Sequence, residues 1–253
     1  MIAAGVAVFA EEIELKTPAA WNNNTLELIP DGNLTTNRSL TVFSKMFDVD
    51  SGRKYTFSLL ARARNFKGDD RSLVYAGFNV FDKDGRRILC RECAGNPKTF
   101  TTVAADAKRG DKVLMIKDGS SFSKAAHCSV VADAKADYSD LPNRNVIGCA
   151  IGKIEKSGDV WKLEFVKPLQ KDVKTGTAIR QHSDGGYVYI PGFGNCDEKW
   201  KVMKGAVKGI NKGLGWSGPF WPKGTVKAQA VLIINYNKKS LDTEIKDAVI
   251  FID

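Results

Sequence analysis

Histidine is scarce in this chain, cysteine is odd in number, and no apolar run is long enough to cross a bilayer; each shortage removes a class of function. His127 and His182 are the only histidines in 253 residues, which leaves a thin inventory for acid–base catalysis. A serine-hydrolase elbow of the form G-x-S-x-G is missing, because Gly215, Trp216, Ser217 and Gly218 are followed by Pro219. No stretch approaches the roughly 20 apolar residues of a membrane-spanning helix. Amphipathic helical periodicity is absent too, so a thioredoxin-like βαβ setting is not expected.

Five cysteines, Cys90, Cys93, Cys128, Cys149 and Cys196, cannot all pair within one chain. Cys90 and Cys93 form a C-x-x-C, the spacing of half a zinc site or of a redox pair, and His127 stands beside Cys128. A second C-x-x-C, which a zinc ribbon requires, does not occur. Three readings stay open: a zinc cluster, a disulfide among the five, or inert thiols.

What is abundant is positive charge. Lys and Arg number 38 against 29 Asp and Glu, a net charge of +9 that favours acidic polymers. The cations are scattered, with only short pairs such as Arg86-Arg87 and Lys238-Lys239, and no basic helix or RNP-like aromatic motif accompanies them. Nucleic acid is therefore not an expected partner. Residues 1–10, MIAAGVAVFA, are small and apolar and stop at the acidic pair Glu11-Glu12; they read as the remnant of a signal peptide or as a first strand.

Strand periodicity runs through nearly the whole chain. Short runs rich in Val, Ile, Thr and aromatics are separated by Gly, Asp and Asn turns at intervals of about ten residues. They cover 25–29, 39–47, 54–63, 73–81, 113–117, 146–154, 160–165, 187–190, 200–210, 225–235 and 248–252. Asp84-Gly85, Ser51-Gly52 and Ser157-Gly158 are turn dipeptides that place Gly where positive φ is needed. The prediction is an all-β sandwich. Residues 99–182 have their own rhythm, from TTVAADAKRGD at 101–111 to the Lys174-Thr175-Gly176-Thr177 turn, and resemble the small β-barrel-like insertions of bacterial and phage surface proteins. The expected organisation is a sandwich of 11–98 and 183–253 with an inserted β subdomain at 99–182.

Three stretches of the flanks carry a further likeness: FDVDSGRKYTFSLLARARN at 47–65, AGFNVFDKDGRRI at 76–88, and the closing series WKVMKGAVKGI, GTVKAQAVLIINY and EIKDAVIFID at 200–210, 224–236 and 244–253. In order and pattern they resemble the galactose-binding-like, carbohydrate-binding jelly rolls attached to many secreted glycoside hydrolases. That resemblance implies a jelly-roll sandwich, secretion or display at the cell surface, a polysaccharide or glycan partner, and a structural calcium. It would place the calcium on acidic residues near the first and last strands, here Glu12 and Asp247, and oxygen ligands suit that hard cation.

Sugar binding on such a fold rests on exposed rings, against which the C–H faces of a pyranose stack. The loop GLGWSGPFWP at 213–222 offers Trp216 and Trp221 among glycines and prolines. Trp21 adjoins Asn22, Asn23 and Asn24, while Tyr187 and Tyr189 alternate on a short strand and so share one face. Trp200, opening a strand, is expected in the core. The functional expectation is non-catalytic carbohydrate binding. Its alternatives are a structural or adhesion subunit of a surface or fibre assembly, and a jelly-roll polysaccharide lyase or glycosidase. Arg180, Gln181 and His182 would serve a lyase as charge neutraliser and base, whereas 29 acidic residues leave any carboxylate pair for glycoside hydrolysis unresolved.

Overall fold

A computed structural model describes residues 11–22, 26–65, 70–216, 218–237 and 240–253. The signal-like segment 1–10 lies outside the described residues.

Alternation sets the architecture. In the strand Lys54–Arg64, Tyr55, Phe57, Leu59, Ala61 and Ala63 point into the core while Ser58, Leu60, Arg62 and Arg64 point away from it. This strand is central in a first sheet ordered Lys201–Lys208, Lys54–Arg64, Asp242–Ile252, Leu34–Thr36, Glu27–Leu28, with Glu11–Glu14 also paired to Asp242–Ile252. A second sheet runs Val188–Tyr189, Tyr75–Phe81, Lys227–Ile234, Leu40–Phe43, extended by Phe47–Asp48 and Arg87–Ile88. All of these pairings are antiparallel. The inner faces meet in one core, where the Phe57 and Phe78 rings lie 6.5 Å apart and Trp221 packs on Phe78 and Tyr55 at 4.8 and 5.3 Å. The protein is all-β, a sandwich of two packed antiparallel sheets.

Residues 101–183 make a third sheet with a core of its own. Its order is Thr101–Thr102, Ala178–Ser183, Ala125–Ala132, Val146–Ser157, Val160–Phe165, Val113–Ile116. The two ends meet: Val103 bridges Ile116, the Ala104 amide donates to the Met115 carbonyl at 2.8 Å, and the Lys117 amide donates to Thr102 at 2.9 Å. The sheet thus closes into a small barrel filled by Val103, Leu114, Ile116, Val130, Leu163 and Ile179. Gly148 is required in that wall, because a Cβ there would come within 2.6 Å of the Phe165 ring.

Barrel and sandwich meet across polar groups. The one-turn helix Cys90–Cys93 lies between them, the Asn96 amide donates to the Gln181 carbonyl, and the Ser183 amide donates to Ala94. Arg144 from the barrel side reaches Asp82 at 2.8 Å and Glu92 at 3.4 Å. Among the described residues no helix is long and apolar enough to cross a membrane.

Candidate functional site

Burial separates the expected aromatics into two groups. Trp221 is fully buried, Trp21 is 2% exposed and donates its indole N–H to the Leu15 carbonyl at 3.0 Å, and Trp216 is 9% exposed. None of the three is an exposed stacking ring, so the expectation for them is corrected. The glycines around Trp216 serve close packing instead: a Cβ on Gly215 would meet the Asn211 amide nitrogen at 2.1 Å, and the Gly215 amide donates to the Cys93 carbonyl. Trp216 acts from below the surface, since its Nε1–H donates to the Tyr187 carbonyl at 3.0 Å and so holds that residue's backbone in place.

Tyr187 and Tyr189 do share a face, and they have company. The core takes Val188, leaving both tyrosines partly exposed on the outer side of the second sheet. There the cross-strand register sets Tyr189 against Gly77, Gly77 against Val231 and Val231 against Phe43. Gly77 has no side chain to intrude, and a Cβ would come within 2.3 Å of the Val188 carbonyl. The rings form a continuous row. Phe43 meets Tyr187 at 5.8 Å, Tyr187 meets Tyr189 at 6.1 Å, Tyr189 meets Tyr75 at 5.6 Å, and Tyr75 meets Tyr236 at 5.2 Å. Successive rings are inclined by 55° to 87°, so the strip is corrugated rather than flat. Tyr236 is 55% exposed.

The polar atoms around this row have bonding capacity left. Among the described residues, the hydroxyls of Tyr75, Tyr187 and Tyr236 make no hydrogen bond to protein. A Cβ on Gly186 would lie 2.9 Å from the Tyr189 hydroxyl, so glycine leaves room for that oxygen. Burial, with the other tyrosines next, raises the Tyr189 phenol above its ordinary pKa and keeps it a neutral donor and acceptor. Beneath the row Asn79 pairs across the ladder with Gln229, and its Oδ1 is buried with no hydrogen-bond partner. The Arg87 guanidinium lies over the Tyr187 ring, 5.2 Å from its centroid.

The outer face of the first sheet is different. Glu244, 3% exposed, accepts from Arg62 Nε and Nη2 at 2.9 and 2.7 Å and pairs with Arg64 at 2.5 Å. Trp200, expected in the core, stands on this face with Arg62 and Lys246 at 4.4 and 4.5 Å from its ring centroid. It helps line a polar cavity of about 450 Å³ with Lys16, Asp31, Arg62, Lys246 and Asp247. The expected metal pair is not brought together. Glu12 pairs with Phe251, four residues along the strand from Asp247, a separation of about 13 Å at the ordinary strand rise. The described residues contain no group of three or more His, Cys, Asp or Glu placed to hold a metal. Asp247 takes φ 54° at the register shift between Lys246 and Val249, which turns its side chain out of the regular alternation.

The lyase set is enclosed. Arg180 and His182 have no exposed surface and Gln181 has 4%. Arg180 Nε–H donates to His182 Nε2 at 2.9 Å, so Nδ1 carries the proton and donates to the Arg91 carbonyl at 2.9 Å. Arg180 also reaches Asp140 at 2.7 Å and the Lys135 carbonyl at 3.0 Å. Burial, reinforced by Arg180, lowers the His182 pKa to about 4, and the imidazole is a neutral joint between barrel and sandwich. All five cysteines are free; burial pushes the Cys90 and Cys93 thiols up to about 12, far from nucleophilic thiolates.

Phe43, Tyr75, Tyr236 and Arg87 belong to the row without having been singled out in the sequence. Their signal is faint: Tyr75 opens an alternating strand whose parity matches Gly77, while the others reach the row only through tertiary pairing. No family model matches this chain, and neither a curated protein nor a solved structure matches it.

Proposed function

We propose that the protein is a non-catalytic carbohydrate-binding module of jelly-roll type, acting outside the cytoplasm, and that it holds a polysaccharide chain on the outer face of its second sheet. The observation that carries this reading is the row of five rings, Phe43, Tyr187, Tyr189, Tyr75 and Tyr236. Rings offer faces to the apolar side of a pyranose, and the phenol hydroxyls of Tyr75, Tyr187 and Tyr236 offer donors and acceptors to its hydroxyls. Corrugation favours a single chain that can follow the changes in ring direction over a flat crystalline surface. The scaffold is rigid where it matters, because two of the rings sit on either side of the buried Val188 and Trp216 anchors the Tyr187 carbonyl.

Affinity electrophoresis of the full chain through gels containing neutral and acidic polysaccharides tests the proposal. Tyr189→Ala should weaken retention about five- to hundred-fold, the loss of one stacked ring, while changing the melting temperature little. Equal retention of wild type and Tyr189→Ala in every gel, or retention of neither, would overturn it.

A further inference from the structure

We infer that the row selects an anionic glycan, and that Arg87 receives the carboxylate or sulfate of the sugar lying on Tyr187; this rests on the carbohydrate-binding reading of the same face. Arg87 differs from its neighbours in what it lacks. Arg86 is held by Asp84 at 3.2 Å and Asp82 at 3.5 Å, Arg91 by Asp184 at 3.7 Å, and Arg144 by Asp82 and Glu92. Arg87, exposed, makes no ion pair among the described residues, and its one hydrogen bond is a long contact of 3.5 Å from Nη2 to the Gly186 carbonyl.

Position adds direction to this free charge. The strand Arg87–Ile88 pairs with Phe81 and Val80, and Val188–Tyr189 pairs with Phe78 and Gly77, so both lie along one edge of Tyr75–Phe81. Ile88 is buried in the core, which turns Arg87 to the outer face where Tyr187 and Tyr189 stand. A guanidinium over a ring keeps its in-plane N–H donors for a second partner, and their fork matches the two oxygens of a carboxylate or sulfate. No Asp or Glu is a member of the row to compete for it. An anionic sugar stacked on Tyr187 would therefore bring its charged group to Arg87, which has no acid of its own among the described residues.

The test is retention of the full-length protein in gels of polygalacturonate, dextran sulfate and a neutral galactan, with Arg87→Gln, Arg87→Lys and Arg109→Gln compared. Arg109 is an exposed barrel residue whose side chain has no ion pair among the described residues, so its variant removes the same net charge elsewhere. Arg87→Gln should lose about tenfold or more on one or both anionic polymers, with galactan retention and melting temperature unchanged. Arg109→Gln should lose far less, and Arg87→Lys should restore only part, since an ammonium lacks the fork. The two anionic gels separate carboxylate from sulfate. Equal losses for Arg87→Gln and Arg109→Gln would reduce the effect to general charge and overturn the inference. So would galactan retention as strong as that on the anionic polymers; if Tyr189→Ala then still weakened galactan retention, the carbohydrate reading would stand without it. Binding of none of the three polymers overturns both.

Discussion

The two outer faces of the sandwich start from the same alternation and end with opposite chemistry. On the first sheet the outward residues include Arg62, Arg64, Glu244 and Lys246: Glu244 is shared by the two arginines, and Trp200 has Arg62 and Lys246 against its ring. On the second sheet the outward residues are Phe43, Tyr75, Gly77, Asn79 and Val231, roofed by Tyr187 and Tyr189. Among the described residues, that face holds three phenol hydroxyls without protein partners, an acceptor on Asn79 without a donor, and an arginine without an acid. An aromatic ring on a surface is therefore not enough to mark a site. Unsatisfied hydrogen-bonding capacity beside a connected set of rings distinguishes the second face from the first.

Substitutions that treat the aromatics as alike should break apart along this line. The largest effect is expected for Trp221→Ala, where a fully buried ring packed on Tyr55 and Phe78 is lost: about 3–5 kcal/mol of stability by urea unfolding. A loss under about 1 kcal/mol would mean the ring is not core.

Acid should act on the joint between barrel and sandwich rather than on either face. The folded pKa of His182, about 4, lies below its ordinary value of 6.5, so the unfolded chain binds a proton that the folded chain refuses between these values. Its contribution is complete above pH 6.5 and falls as pH drops toward 4, by on the order of 3 kcal/mol. Urea midpoints measured from pH 7.5 to 4 in wild type and His182→Asn check this; the variant should show a shallower decline.

On the charged face, Glu244→Gln should cost about 1–3 kcal/mol, because a buried carboxylate with two arginine partners is replaced by an amide that cannot serve both. Retention in polysaccharide gels should not change. The smallest effect is expected for Trp200→Ala: about 1 kcal/mol or less, the scale of a cation–π contact at a partly exposed site. If Trp200→Ala weakened retention as much as Tyr189→Ala, the distinction between the two faces would fail.

Much of the strand pattern was legible because burial of one side leaves a period of two. Lys54–Arg64, Tyr75–Phe81, Val160–Phe165 and Lys227–Ile234 fall where the alternating runs predict them. Ala125–Ala132 was not among those runs; its sequence AAHCSVVA has small residues at one end and a continuous buried stretch at the other, so no clean alternation marks it. Ala178–Ser183 escaped for a related reason, since Arg180 and His182 look like surface or catalytic residues until the neighbours that neutralise their burial are in place. The Trp216 loop misled in the opposite sense: glycine permits exposure, but it equally permits a backbone to approach Asn211 and Cys93 closely enough to bury the ring.

By itself the sequence determined the all-β class, the turns, and the shared face of Tyr187 and Tyr189, because these follow from local sterics and a two-residue period that act over a few residues. Only the tertiary structure decided which aromatics meet solvent and which meet one another. Phe43, Tyr75, Tyr187, Tyr189 and Tyr236 come from four separate segments, and register across four strands brings them into contact. Exposure and ring contact are properties of neighbours that pairing and packing supply, and a residue's own side chain carries neither.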